Sequence, residues 1–564
     1  MNSVFFLLLR RMRAPLIFVI LSHAVAVLGL TLIPGADTNG QPAPPLDFFH
    51  AFYFITYTAT TIGYTEPVSG FSDAQRLWIT ACIYLLVVSW SFVIVTLLAC
   101  LQDKGLQNAL VSGRFIRRLR RLNEPFYLIC GYGETGSLVC RALDHLDQRF
   151  VILEKDELRV QELELEDYKA DIIALAADAR QPDNLLQAGL RHRRCRGVLA
   201  LTNDESTNLA VAMAVRLLNP AIPILARARS GSIAANMASF RTDHVINPFE
   251  RFAEYLSLAA AAPERFRLVE LLTGLPGAAL PDSHRPPRGR WIVCGYGIFG
   301  QAVVSNLEAT GITVTIVDPR AEPGNGVSAI RGRGADAATL EAAGIRDAEG
   351  IVAGSDDDVS NLAIAVTARE LNPDLFVVTR QNLAANGALF DAFIGDFCMV
   401  PSRIVAQECL AILTTPMLAR FLQRLRECDE SWSARLVARL QAACADRVPE
   451  VWSVCLDARD AAAVHHCLTL GRAIRLGELM VDNVDRSEAM PMVPLLLERD
   501  GRSQLLPAAD FPLAAGDHLL LAGPHGARRR FELTLQNNNA MEYVLSGREA
   551  GGGWLWQWIS GARG

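Results

Sequence analysis

The chain has 564 residues, 51% of them apolar, a length that fits three or four domains. A formal charge of −6, with basic residues dense only in local runs, excludes a general nucleic-acid binder. The 12 cysteines show no C-x-x-C and no paired spacing, which excludes a disulfide framework or zinc module and points to a reducing compartment.

In chain order, residues 15–33 (PLIFVILSHAVAVLGLTLI) carry no charge and would reach about 28 Å as a helix, close to the hydrocarbon thickness of a bilayer. A cleaved secretory leader is the competing reading. No A-x-A site follows, and the run exceeds a typical leader core. Residues 77–101 (LWITACIYLLVVSWSFVIVTLLACL) form a second such run. Arg10, Arg11 and Arg13 precede the first run, while Arg114, Arg117, Arg118, Arg120 and Arg121 follow the second. No Lys or Arg lies between Pro34 and Gln75. The bias predicts a multi-pass protein of the cell (inner) membrane with both termini cytoplasmic.

Between the spans lies a third apolar stretch, LDFFHAFYFITYTATT at 46–61, too short to cross. It predicts a short re-entrant helix leading into TATTIGYTEP at 58–67. Irregular backbone at membrane depth is tolerated only inside protein or around a water-filled cavity. Span, short helix, irregular segment and span over 14–101 resembles a two-span potassium channel, whose filter reads TVGYG. The resemblance implies K+ as permeant ion and a homotetramer, since one chain supplies one filter strand. It implies oxygen ligands from Thr61, carbonyls from Ile62, Gly63 and Tyr64, and Thr65 where the family has glycine. A threonine held at φ > 0 costs on the order of 1–2 kcal/mol, so strain is expected at residue 65 and the outer mouth alone.

The remaining chain repeats itself. FYLICGYGETG (126–136) and WIVCGYGIFG (291–300) are strands ending in G-x-G-x-x-G: Gly131, Gly133, Gly136 and Gly295, Gly297, Gly300. Each is followed by an acid closing a second apolar run, Glu154 in RFVILEKD and Asp318 in TVTIVDPR. Glycines that admit a pyrophosphate to a helix N-terminus, with a carboxylate for ribose hydroxyls, form the dinucleotide-binding fingerprint. Glu134 lies at the start of the first helix. The repeat continues through AADARQPDNLLQAGL and GADAATLEAAGI, setting Asp178 against Asp336, and through NLAVAMAVRLLNP and NLAIAVTARELNP. The ligand class is NAD(H) or ADP/ATP, because the motif reads the shared adenosine phosphate. An oxidoreductase is the competing class, but no Tyr-x-x-x-Lys and no histidine constellation supports it.

This tandem resembles RCK domains, regulators of potassium conductance. The resemblance implies a membrane α-helical pore domain plus α/β units, each a Rossmann-like doubly wound parallel sheet, and a small α+β C-terminal subdomain. The expected division is a pore domain (1–105), a basic linker (106–124), RCK units at 125–275 and 288–445, a C-terminal subdomain (446–535) and a tail (536–564). The protein is expected to be a ligand-gated potassium channel and not an enzyme. A weakly selective cation channel and a membrane-anchored nucleotide sensor are the alternatives. Asp356, Asp357 and Asp358 could meet a divalent cation or cap the helix that follows; capping is the preferred reading. The run RFIRRLRRL (114–122) suits anionic lipid or a solvated link, and GGGWLWQWI near the C-terminus suits docking to a groove or the bilayer interface. The second span has no glycine, leaving Ser89 or Ser91 as its softest point.

Overall fold

A computed structural model describes residues 2–36, 41–63, 70–102, 104–163, 165–274, 276–279, 285–321, 328–393 and 395–547. The chain divides into two compact units, Met1–Asn123 and Glu124–Gly564.

In the first unit the two apolar runs become helices Asn2–Leu32 and Asp73–Gln102. The first begins well before Pro15, which the helix accommodates in its interior. A 12-residue helix, Phe48–Ala59, lies between them in sequence and packs Ala51, Phe54 and Ile55 against Ala26, Val27, Leu30, Ile79 and Leu86. The close approach of the two long helices depends on Gly29. A Cβ there would meet the Trp78 ring at 2.1 Å, and the Trp78 indole N–H donates to the Ala26 carbonyl at 3.2 Å. Away from this contact Ile20, Leu28, Tyr84 and Val95 are exposed, as expected of faces that meet lipid or further subunits. Ser89 is buried and donates to the Leu86 carbonyl of its own helix, which runs unbroken past it. The basic stretch is itself a helix, Lys104–Arg121.

The second unit holds two six-stranded parallel sheets of identical topology. The first has the order 173–176, 149–154, 126–130, 195–200, 224–227, 244–246; the second runs 328–331, 314–318, 291–294, 350–353, 376–380, 397–399. Sheet order reverses beside each glycine-loop strand, which places a crevice at its carboxyl end. An antiparallel four-stranded sheet built from 450–455, 518–523, 493–499 and 502–505 forms the C-terminal subdomain. That subdomain extends past the expected boundary at 535, because Met541 of helix Asn538–Ser546 lies in its core.

The two Rossmann units exchange helices. Pro248–Ala261, which follows the first sheet, places Phe249, Phe252 and Leu256 in the core of the second. Pro401–Thr414, which follows the second sheet, returns Val405, Ala406 and Cys409 to the core of the first. Neither unit is closed by its own sequence. The return helix and the next, Pro416–Leu425, are apolar enough together to pass for a span, but they meet at 112°, and the second buries its face against Leu268, Leu436 and Leu520 of the C-terminal core.

Beside this exchange, Glu270 of helix Pro263–Thr273 is half-buried next to Tyr255, and burial, only partly offset by Arg267, raises its carboxyl to about 7. A carboxyl raised in the folded state stabilises fully below its unfolded value near 4.5 and loses that contribution as pH rises through about 7. Thermal unfolding should therefore show stability falling over that window, and Glu270→Gln should flatten this part of the profile.

Candidate functional site

The short helix is capped at its start by Asp47, whose carboxylate accepts from the His50 amide. It ends at Thr60, and Thr61 takes a left-handed φ of 62°. Ile62 N–H donates to the Tyr57 carbonyl at 3.0 Å and Thr61 N–H to Thr58 at 3.1 Å, the paired bonds of a Schellman cap. Gly63 is left-handed again at φ 66°, so left-handed residues alternate along the start of the segment. The expectation that strain would fall at residue 65 alone is thereby corrected. A β-branched residue occupies the left-handed C′ position at 61 because the helix must stop there, and glycine is the usual occupant. Ile62 is 68% exposed, and a Cβ on Gly63 would have no neighbour within 4 Å among the described residues. Tyr64 and Thr65 lie outside the described residues.

At the first crevice Gly131 has φ 98°, and a Cβ there would sit 2.8 Å from Thr202. Gly136 packs its helix against the loop so closely that a Cβ would meet the Gly131 carbonyl oxygen at 2.1 Å. Gly133, which opens helix Glu134–His145, is different: the nearest atoms to a Cβ are 3.9 Å away. Glu154 is buried at the end of its strand, accepting from the Tyr132 amide at 2.5 Å and the Asp156 amide at 3.0 Å. Its carboxylate is thus held on the glycine loop. Asp178 accepts from Arg180 through both guanidinium and amide, which lowers its carboxyl below the usual range, and Lys155 lies 3.9 Å away. Glu134 reaches into the neighbouring unit and accepts from the Ala384 amide at 2.9 Å.

The second crevice repeats the loop. Gly295 has φ 96°, a Cβ on Gly300 would meet the Gly295 oxygen at 1.9 Å, and space beside Gly297 is open. Asp318 accepts from the Tyr296 amide at 2.8 Å and from the Arg320 amide at 2.8 Å. The pairing of Asp178 with Asp336 fails. Ala177 N–H donates to the Glu154 carbonyl and Gly332 N–H to Asp318, so Ala177 matches Gly332 and Asp178 matches Arg333. The repeat's letters had aligned three residues out of register; buried Leu185 and Leu340 fix the true one. Asp336 instead precedes helix Ala337–Ala342 at its cap position. Where the first crevice carries a carboxylate, the second carries a guanidinium.

The three consecutive aspartates are each engaged. Asp356 pairs with Arg380 at 2.7 Å, Asp357 caps its helix through the Ser360 amide at 2.8 Å, and Asp358 accepts from the Asn382 and Leu383 amides. Capping is thus the use of Asp357 alone, while Asp356 and Asp358 tie the helix start to the end of the fifth strand. Sequence reading passed over Arg227 and Arg380, though both end the fifth strand of their sheets, in ILARAR and VVTRQN. That repetition was the available signal.

Comparison with known proteins gives matches to the ion channel family over residues 16–103 and to the TrkA-N domain over 127–248 and 291–398. Potassium channel protein 1 of Methanocaldococcus jannaschii is 24% identical over 203 residues, 36% of this chain and 59% of that protein. Probable potassium channel protein 2 of the same organism is 26% identical over 226 residues, 40% of this chain and 64% of its own length. The matched stretches thus span less than two thirds of either relative. Among solved structures, the GsuK channel aligns with 97% of this chain and 100% of its own at 16% identity and a TM-score of 0.47.

Proposed function

Because this chain belongs to the two-span channel proteins with tandem RCK-type (TrkA-N) domains, we propose that four copies form a potassium-selective pore in the cell membrane. Conduction is set by an adenine nucleotide or dinucleotide bound at the first glycine loop. The observation that carries the pore reading is the short helix Phe48–Ala59 running directly into Thr61-Ile62-Gly63 with alternating left-handed backbone. An apolar Ile62 left 68% exposed fits a segment completed by other copies. Filter carbonyls supplied one strand per chain replace the hydration shell of the ion. Both termini lie in the cytoplasm, and the sole covalent path from ligand to pore runs through helix Lys104–Arg121. A ligand that favours one arrangement of the cytoplasmic units shifts the gate by its differential affinity for the two states. Purified protein in liposomes should pass K+ down a gradient and not Na+. Absence of flux for either ion would overturn the channel reading. Equal flux for both would favour a weakly selective pore, the second reading, for which Thr65 in the glycine position is the specific reason.

The ligand reading rests on Glu154, whose carboxylate sits on the glycine loop where ribose hydroxyls would be met. Glu154→Ala should weaken ADP or NAD binding about tenfold, the effect of losing a charged hydrogen bond of about 1.5 kcal/mol. Calorimetry on the full-length protein in detergent measures it, and unchanged affinity would remove Glu154 from the site. The second crevice, with Arg333 in place of a carboxylate, is the poorer candidate for the same ligand.

A further inference from the structure

The two Rossmann units differ in what meets one buried arginine. Arg227 is only 8% exposed at the carboxyl end of strand Ile224–Arg227. Its Nη1 donates to Thr135 Oγ1 at 3.2 Å and to Asn203 Oδ1 at 2.8 Å, both neutral. Its Nε is buried without a partner, and no carboxylate among the described residues forms an ion pair with it. Thr135 lies in the first turn of the 12-residue helix that follows the glycine loop. A buried cation is therefore held against the positive end of a helix dipole, an arrangement that is unfavourable until an anion arrives. Of the charged neighbours Arg229 repels it, and Glu134, which accepts from the Ala384 amide and makes no ion pair with it, offsets this only in part. Burial accordingly draws the guanidinium down to about 10.

The second unit supplies an internal control. Asn208 donates to the Arg227 carbonyl and Asn361 to that of Arg380, so the two arginines occupy the same place in the repeat. Arg380 shares the buried, unpartnered Nε, but its charge is met: Asp356, the counterpart of Asn203, pairs with its Nη2 at 2.7 Å. It also rests over the Phe249 ring at 4.7 Å and the Phe299 ring at 5.5 Å, and Phe299 stands where the first unit has Thr135. One unit thus neutralises its arginine internally, and the other leaves it open at a helix N-terminus beside the glycine loop.

We propose that Arg227, Thr135 and Asn203 form a phosphate subsite for the ligand of the first glycine loop, which makes a charged phosphate a requirement for binding there. The assignment rests on the nucleotide reading of that crevice. It explains why the two crevices differ: the second has its own carboxylate in the phosphate's place.

The test is calorimetry on full-length protein in detergent with ADP, adenosine and inorganic phosphate as probes. Wild type should bind ADP more tightly than adenosine. Arg227→Gln should weaken ADP at least tenfold and leave adenosine unchanged. Asn203→Asp, which supplies the missing carboxylate and guards against a misfolded first variant, should reproduce the selective loss of ADP without lowering Tm. Unchanged ADP affinity in both variants, or adenosine falling in step with ADP, would overturn the subsite alone. Inorganic phosphate binding that is lost in Arg227→Gln while ADP is unaffected would do the same, by making this a separate anion site. Wild type binding neither ADP nor adenosine would overturn the nucleotide reading and the subsite with it.

Discussion

Gly63→Ala should silence K+ flux, while Thr65→Gly should raise the preference for K+ over Na+ or strengthen the tetramer. Gly63 is held at φ 66°, and a Cβ on it would touch nothing among the described residues. The cost of alanine there is therefore conformational, about 1–2 kcal/mol for a left-handed alanine, not a clash within the subunit. In the proposed tetramer four copies would place that cost on one axis, where a rotated carbonyl would also remove an ion ligand. At residue 65 the logic inverts, since glycine removes a restriction that threonine imposes. Thr61→Gly should likewise relieve the left-handed cap of the short helix, at the loss of the hydroxyl that the proposed filter would offer the ion. Reversal potentials under K+ and Na+ gradients, measured in planar bilayers, compare the three variants directly. If Gly63→Ala conducts like wild type, the segment 61–65 is not the filter.

The membrane elements and the two glycine loops were legible in the sequence because each is a local pattern with a physical period or spacing. An uncharged run has the length of a bilayer, and three glycines and an acid sit at fixed distances. Thr61 was not legible as a strained residue, since helix termination by a left-handed residue is ordinarily announced by glycine or asparagine and here is carried by threonine. The register of the repeat was misread at Asp336 for a related reason. Similar letters drew the alignment, whereas strand ends and buried leucines, which are set by the sheet, decide it. The exchange of Pro248–Ala261 and Pro401–Thr414 was hidden because an amphipathic helix shows that it has an apolar face, not which sheet receives it. The difference between Asn203 and Asp356 lay in plain view in TNDESTN and GSDDDVSN. It became meaningful only once each was seen against an arginine from a strand end far along the chain.

Two glycines of the first loop should separate folding from binding. Gly136→Ala forces a Cβ to within 2.1 Å of the Gly131 carbonyl oxygen, a contact with backbone that no side-chain rotation relieves. The helix must lift from the strand, and since ordinary overpacking already costs about 1–3 kcal/mol, a loss at or above about 3 kcal/mol is expected. Thermal unfolding should show a clear drop in Tm together with loss of nucleotide binding. Gly133→Ala meets no such obstacle: its φ of −83° suits any residue, and the nearest atoms are Arg159 and Asn203 at 3.9 Å. Tm should stay within about a degree of wild type. Binding should nevertheless fall at least tenfold, or about 1.4 kcal/mol, because the methyl group fills the space through which a pyrophosphate reaches the helix N-terminus. A Gly133→Ala protein that keeps both its Tm and its affinity for ADP would mean that no phosphate approaches this loop. The three glycines would then serve only to pack a helix on a strand, as Gly136 does in either case.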